Sequence, residues 1–167
     1  MKPIIETQRC YLRELTVDDA QSFYDLNADP EVVKYTGDKA FENVTEAKNF
    51  LENYNQYKLY GYGRWAVIDK QSGDFLGWCG LKYSPELNEV DLGFRFFRKH
   101  WNKGYATETA KACIEYGFSK LNLNKIVGRA MEANVGSVKV LEKTGMAFVG
   151  KFEFELHPGV LYEIHNS

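Results

Sequence analysis

Between residues 89 and 108 the hydrophobic period changes from two to helical, with a glycine at the changeover. No other stretch constrains the fold as tightly. Val90, Leu92, Phe94 and Phe96 alternate with Glu89, Asp91, Gly93 and Arg95, which predicts a strand with one apolar and one polar face. A short basic loop runs from Arg98 to Lys103, and Gly104 then opens a helix with Ala106, Ala110, Ile114, Gly117, Phe118 and Leu121 on one side. The first amides of such a helix have no intrahelical partner and carry the positive end of its dipole. A strand–loop–glycine–helix unit can therefore hold a phosphate group. Lys99 and Lys103 add positive charge, and Ala106 keeps the first turn small. Neither G-x-x-x-x-G-K-[ST] nor G-x-G-x-x-G occurs here, which speaks against a Walker loop and a dinucleotide fingerprint.

The remaining chain supplies the frame. Glu6 to Leu15 reads as a first strand. Thr16 caps a helix to about Ala28 by accepting from the Asp19 amide, and Pro30 suits the first turn of a short second helix. Thr45 opens a third helix, with Ala47, Phe50, Leu51 and Tyr54 on one stripe. Arg64–Ile68 and Phe75–Leu81 are strands around a turn at Gln71–Asp74. Lys125–Met131 is a strand, and Asn134 caps a helix carrying Val135, Val138 and Leu141. Gly145 ends that helix in a left-handed position. Phe148–Leu156 and Val160–Ile164 form a last hairpin with Pro158-Gly159 in its turn. The order β-α-α-α-β-β-β-α-β-α-β-β predicts an α+β, mixed α/β chain with a mixed sheet of about seven strands.

No linker or internal repeat divides the 167 residues, so residues 1–167 are expected to form a single domain. A net charge of −2 disfavours nucleic acid as a partner. No apolar run approaches the ~20 residues that span a bilayer, and the first residues show no signal-type apolar stretch. Cys10, Cys79 and Cys113 are scattered and odd in number, as in a protein with reduced thiols, so a cytoplasmic location is expected. No metal site is expected.

Trp101-Asn102-Lys103-Gly104-Tyr105-Ala106-Thr107-Glu108 closely resembles the acetyl-CoA pyrophosphate loop of GNAT N-acetyltransferases. In the ribosomal-protein-alanine N-acetyltransferase-like branch this loop usually reads W-G-x-G-Y-A-T-E. A second segment, from Asn134 through Ser137, Glu142 and Lys143 to Gly145, resembles that branch's N-x-x-S-x-x-x-x-E-K-x-G-F. Glu6 to Arg13 and Asp29 to Val33 resemble its usual start, so the likeness spans nearly the whole chain. Two departures stand out. Met146-Ala147-Phe148 blurs the G-F ending. Asn102 replaces a glycine, and asparagine is the best substitute where φ is positive.

The resemblance implies a GNAT-like fold, with a mostly antiparallel twisted sheet flanked by helices, and acetyl-CoA as cosubstrate. It implies that Phe96, Phe97 and Arg98 pair their backbone with the pantetheine amides. The amides of Asn102, Lys103, Gly104, Tyr105, Ala106 and Thr107 would hold the pyrophosphate, Asn134 would bond the pantetheine arm, and Ser137 would lie near the sulfur. A primary amine is mostly ammonium at neutral pH and needs a base before it attacks a thioester. Glu89 and Asp91 share one strand face, roughly 7 Å apart. Two like charges on one face oppose each other's ionisation, which is one route to a base poised near neutrality. Asp91 is favoured over Glu89 because the branch usually carries a carboxylate two residues before the strand glycine, here Gly93. His100 lies on the phosphate side of the loop and ranks below both. Ser137 would return a proton to the leaving thiolate. Tyr105 is expected to pack beside the loop, and Tyr35, Tyr60, Tyr62, Trp65 and Trp78 are candidates for lining an acceptor cleft. The expected partners are acetyl-CoA and an amine acceptor, with the chain a monomer or homodimer. A non-catalytic GNAT domain that binds acyl-CoA as a sensor or scaffold is the alternative.

Overall fold

The structure, a computed structural model, describes residues 2–154 and 156–167. Its strands are β1 (Ile5–Glu6), β2 (Cys10–Glu14), β3 (Arg64–Asp69), β4 (Phe75–Ser84), β5 (Glu89–Phe96), β6 (Lys125–Met131), β7 (Ala147–Phe154) and β8 (His157–His165). They form one sheet in the order β1-β2-β3-β4-β5-β6-β8-β7. Every neighbouring pair is antiparallel except β5 and β6, which are parallel. The helices are α1 (Ala20–Ala28), α2 (Pro30–Val33), α3 (Val44–Glu52), α4 (Gln56–Tyr60), α5 (Tyr105–Ser119) and α6 (Val135–Lys143).

The alternation of β5 sorts its residues between two layers. Val90, Leu92 and Phe96 join Leu12, Trp65, Val67, Cys79, Leu81 and Ile126 in the core beneath α5, which contributes Ala110, Cys113 and Ile114. On the opposite face Ala66 and Ile68 pack with Leu15, Ala20, Phe23 and Leu51, so α1 and α3 cover that side. Burial of a Leu or Val side chain contributes roughly 1.5–3 kcal/mol, and Leu12, Val67 and Leu81 are fully buried. Among the described residues no helix is long and apolar enough to cross a membrane.

The predicted helix starts match their caps closely. The Thr16 hydroxyl accepts from the amide of Asp18 at 3.2 Å, one residue earlier than expected, while the Asp19 carboxylate accepts from the Thr16 amide at 2.9 Å. A 3₁₀ turn, Val17–Asp19, therefore precedes α1. Asp29 caps α2 and Asn43 caps α3. Gly145 follows α6 with φ of +95°, the expected left-handed position.

Three expectations differ. The predicted first strand is two strands, because the Thr7 amide and hydroxyl both bond the Cys10 carbonyl and turn the chain between them; this raises the strand count to eight. The helix α4 has no buried residue, so it left no apolar stripe to read. Pro158 and Gly159 lie within β8, opposite Glu153 and Phe152, and not in the hairpin turn. Glu155, inside the predicted strand Phe148–Leu156, lies outside the described residues.

Candidate active site

The parallel pairing of β5 with β6 covers Asp91–Val127 and Leu92–Gly128 and goes no further. Beyond it the two strands part, and a cleft of about 200 Å³ opens between them. Leu92, Gly93, Phe94 and Arg95 line one wall; Arg129, Ala130 and Met131 line the other; Asn134 and Ser137 of α6 close one end. A larger hollow of about 510 Å³ lies between α5 and the last residues, lined by Ile114, Phe118 and Ile164 among others. It holds neither Asn134 nor Ser137, which both line the cleft at the parted strands, so that cleft is the candidate site.

At the C-terminal end of β5 the chain makes a 3₁₀ turn over Arg98–His100 and reaches α5 through Asn102 at φ +61° and Gly104 at φ +82°. Both the glycine and the replacing asparagine are in the left-handed region, where other side chains are strained. Among the described residues no acceptor meets the amides of Asn102 to Thr107. The first amide with a helix-type bond is that of Glu108, which donates to the Gly104 carbonyl at 3.0 Å. Residues 101–104 are exposed and 105–107 half-buried, so the turn that carries these donors lies at the surface.

The loop is tied at both ends. The Trp101 indole N–H donates to the Phe96 carbonyl at 2.9 Å. Glu108 accepts from the Thr7 hydroxyl at 2.6 Å, from the Arg9 amide at 3.0 Å and from Arg9 Nε at 2.8 Å. Arg9 in turn donates to the Lys103 carbonyl at 3.0 Å and lies 4.0 Å from the centre of the Tyr105 ring. Partial burial works against the Glu108 charge, but the bonds from Thr7 and Arg9 outweigh it and hold the carboxyl below its ordinary range. Tyr105 thus packs beside the loop, as expected. Burial, with the nearby Lys99 and Lys103, pushes the His100 imidazole below its ordinary pKa, and His100 does not line the cleft.

The strand-end residues divide by parity. The Phe97 amide donates to the Leu76 carbonyl at 3.1 Å, so Phe97 faces β4. Alternation then turns the backbone groups of Phe94 and Phe96 toward the opening. Arg98 lies in the following turn, paired with Asp29 at 3.1 Å. In α6 the Asn134 side-chain oxygen accepts from the Ser137 amide at 3.3 Å, a helix cap, and both residues line the cleft.

Asp91 and Glu89 do share a face, yet neither acts mainly on the other. Asp91 accepts from Arg64 Nη2 at 2.6 Å, and Glu89 from Arg129 Nη2 at 2.6 Å. Neither carboxylate lines the cleft; the two arginines do. Neither arginine stands out in the sequence. Arg64 stands 27 positions before Asp91 and meets it only through the β3–β4–β5 register. It rests where Gly93 has no side chain, since a β-carbon there would come 2.7 Å from its guanidinium carbon. Of the aromatic candidates, Tyr35 and Trp78 line the cleft, while Trp65 is buried in the core.

An open strand junction beside a glycine-headed helix with free amides is the frame of an acyl-CoA-dependent transferase. The family described as acetyltransferase (GNAT) domain matches residues 9–147, and the chain belongs to it. It is an acyltransferase with N-acetyltransferase activity of the GNAT type, a family that uses acetyl-CoA. Over 162 residues it is 31% identical to p20 of Bacillus licheniformis, an uncharacterized N-acetyltransferase, covering 95% of this chain and 91% of the relative. A solved GNAT-family acetyltransferase from Bacillus anthracis superposes with a TM-score of 0.83 at 27% identity, covering 96% of this chain and 97% of that one. The fold also matches spermidine N-acetyltransferase from Vibrio cholerae, solved in complex with CoA and spermine, at a TM-score of 0.81 and 21% identity, with 94% and 95% covered.

Proposed function

We propose that the protein transfers the acetyl group of acetyl-CoA to a primary amine, on a protein N-terminus or a small molecule. The transfer is a direct attack with general-base assistance. Residues 1–167 act as one GNAT domain, similar to the ribosomal-protein-alanine N-acetyltransferase-like branch. The observation that carries the reading is the alignment of six acceptor-free amides, Asn102 to Thr107, beside the parting of β5 from β6.

The residues present fit acetyl-CoA. The loop amides and the positive end of α5 receive the pyrophosphate, with Lys103 and Arg9 nearby. Phe94 turns its backbone groups toward the opening, and Phe96 its amide, since its carbonyl is taken by the Trp101 indole; an amide-bearing pantetheine arm can pair there as an added strand. Asn134 spends its oxygen on the α6 cap, which leaves its NH₂ as the donor to that arm. Bound there, acetyl-CoA supplies a thioester carbonyl open to an amine. Ser137 protonates the departing thiolate through water, because a hydroxyl is a weak acid on its own. Asp91 takes the amine's proton, also through water, since it stands behind the cleft wall with one oxygen held by Arg64.

Calorimetric titration with acetyl-CoA tests the reading. Gly104→Glu puts a side chain and a negative charge at a φ of +82° on the phosphate turn. Affinity should fall at least about tenfold with circular dichroism unchanged, the loss expected where charge-assisted bonds are removed. Wild-type protein should release thiol from acetyl-CoA when a suitable amine is added. Unchanged affinity in the variant overturns the assignment of the loop.

A further inference from the structure

The cleft wall is rich in donors and poor in acceptors. Arg64, Arg95 and Arg129 line it, together with Trp78, and among the described residues no Asp or Glu does. Their counterions stand behind or outside the wall: Asp91 on Arg64, Glu89 on Arg129, and Asp38, on an exposed loop, on Arg95. Two buried donors on this wall, Trp78 Nε1 and Arg95 Nε, have no partner among the described residues. Trp78 sits between two guanidinium groups, 5.4 Å from that of Arg64 and 5.3 Å from that of Arg95.

The wall is also rigid. The Arg64 backbone amide donates to the Tyr54 hydroxyl at 2.8 Å, and the Tyr57 hydroxyl donates to the Arg64 carbonyl. Its guanidinium bonds the Gly80 carbonyl at 2.9 Å, the Asp91 carbonyl at 3.1 Å and the Asp91 carboxylate. Arg95 is held by Asn27 at 2.7 Å and Asp38 at 2.6 Å. Arg129 differs. Its side chain is the most exposed of the three, at 26% against 18% and 11%. Among the described residues only Glu89 hydrogen-bonds it, through Nη2, so Nη1 and Nε keep donors to offer. A planar guanidinium with a free edge matches an oxyanion. A polycation would meet three arginines here and, among the described residues, no carboxylate in the lining.

On the reading that this cleft serves amine acetylation, we infer that the acceptor carries an oxyanion beside its amine, a carboxylate or a phosphate. Arg129 receives the oxyanion, and polyamines are not acceptors.

The test is thiol release from acetyl-CoA with a panel of L-amino acids, each paired with its own primary amide, plus phosphoethanolamine and spermidine. The oxyanion-bearing amines should exceed the amides and spermidine in kcat/KM by at least about tenfold, as when a site's polar groups are left unpaired. A lead of the amino acids assigns carboxylate, and a lead of phosphoethanolamine assigns phosphate. Arg129→Gln should collapse the preference by raising KM for the oxyanion-bearing amines. Arg129→Lys, which keeps the charge but loses the fork, should fall between. If no amine turns over, calorimetry of the panel against the CoA-saturated protein decides, with binding confined to oxyanion-bearing amines expected. An amide or spermidine that matches the acids, or a panel without binding, overturns the inference. Loss of acetyl-CoA binding itself would instead sink the proposed function, so the two failures are distinguishable.

Discussion

Glu108→Gln is the sharpest perturbation of the loop, because one carboxylate holds the phosphate turn to the first two strands. It accepts three hydrogen bonds, at 2.6, 2.8 and 3.0 Å, and its side chain is 19% exposed. Bonds to a charged group contribute roughly 1.5–3 kcal/mol each when made individually, but partners that share one acceptor do not add fully. Glutamine keeps one acceptor oxygen and turns an NH₂ toward Arg9, so a loss of about 2–3 kcal/mol is expected at pH 7. For a chain of this length that lowers Tm by roughly 5–10 °C. The pH dependence carries the sharper signature. Glu108 has a folded-state pKa below its ordinary 4.5. Its contribution is therefore complete above about pH 4.5 and is lost as the pH falls through the folded value. Urea unfolding of both proteins between pH 7 and pH 3 should give a difference that is large at neutrality and shrinks on acidification. Acetyl-CoA affinity should weaken in parallel, since Arg9 also bonds the Lys103 carbonyl. A stability difference that stays constant across that range would refute the reasoning, because the charge would then not be what holds the tether.

Asp91→Asn should lower kcat by about 10²–10⁴-fold while leaving acetyl-CoA affinity nearly unchanged. A drop confined to Glu89→Gln would reverse that choice, and full activity in both would remove the carboxylate base. Gly93→Ala sets a β-carbon against the Arg64 guanidinium. The flexible side chain should yield at a cost of about 1–2 kcal/mol in urea unfolding, and a neutral result would show that Arg64 is not held there. The cysteines are all buried, with Cys79 and Cys113 sulfurs 3.8 Å apart, and burial pushes the Cys10 thiol up to about 11. Intact mass after alkylation should therefore report three labels in denaturant and few in native protein; a missing pair in denaturant would mean a disulfide.

The parts of this molecule that read well from sequence depend on local geometry. Asn102 and Gly145 stand where the sequence calls for positive φ, and both adopt it, as does Gly104. The alternation from Val90 to Phe96 states its own two faces. The pairing of those faces across the sheet is a different matter. Arg64 and Arg129 look like ordinary strand residues until register brings them to Asp91 and Glu89, from 27 and 40 positions away. The polar residues Glu89 and Asp91, read as a mutually repelling pair, instead balance two cations. Glu108 stood in plain view in the loop segment, yet its partners Thr7 and Arg9 lie about a hundred positions earlier. Short elements such as α4, with nothing buried, leave no period to detect.

The parallel pairing at the centre of the sheet, the one such pairing among the described residues, has a directional consequence. Strands that run the same way deliver both of their C-terminal ends to one edge, and each here is followed by a helix: α5 after β5 and α6 after β6. The N-terminal ends of those two helices therefore lie toward the same edge of the sheet, with that of α6 lining the cleft itself. This is the geometry that open parallel sheets create where strand order reverses, and there it attracts anionic ligands. Among the described residues six of the eight strands have only antiparallel neighbours, and β5 and β6 each have one beside their parallel pairing, so the crevice arises from one crossover alone. Reversing β6 relative to β5 would keep the layers and the core but point the second dipole away, leaving the first to act by itself.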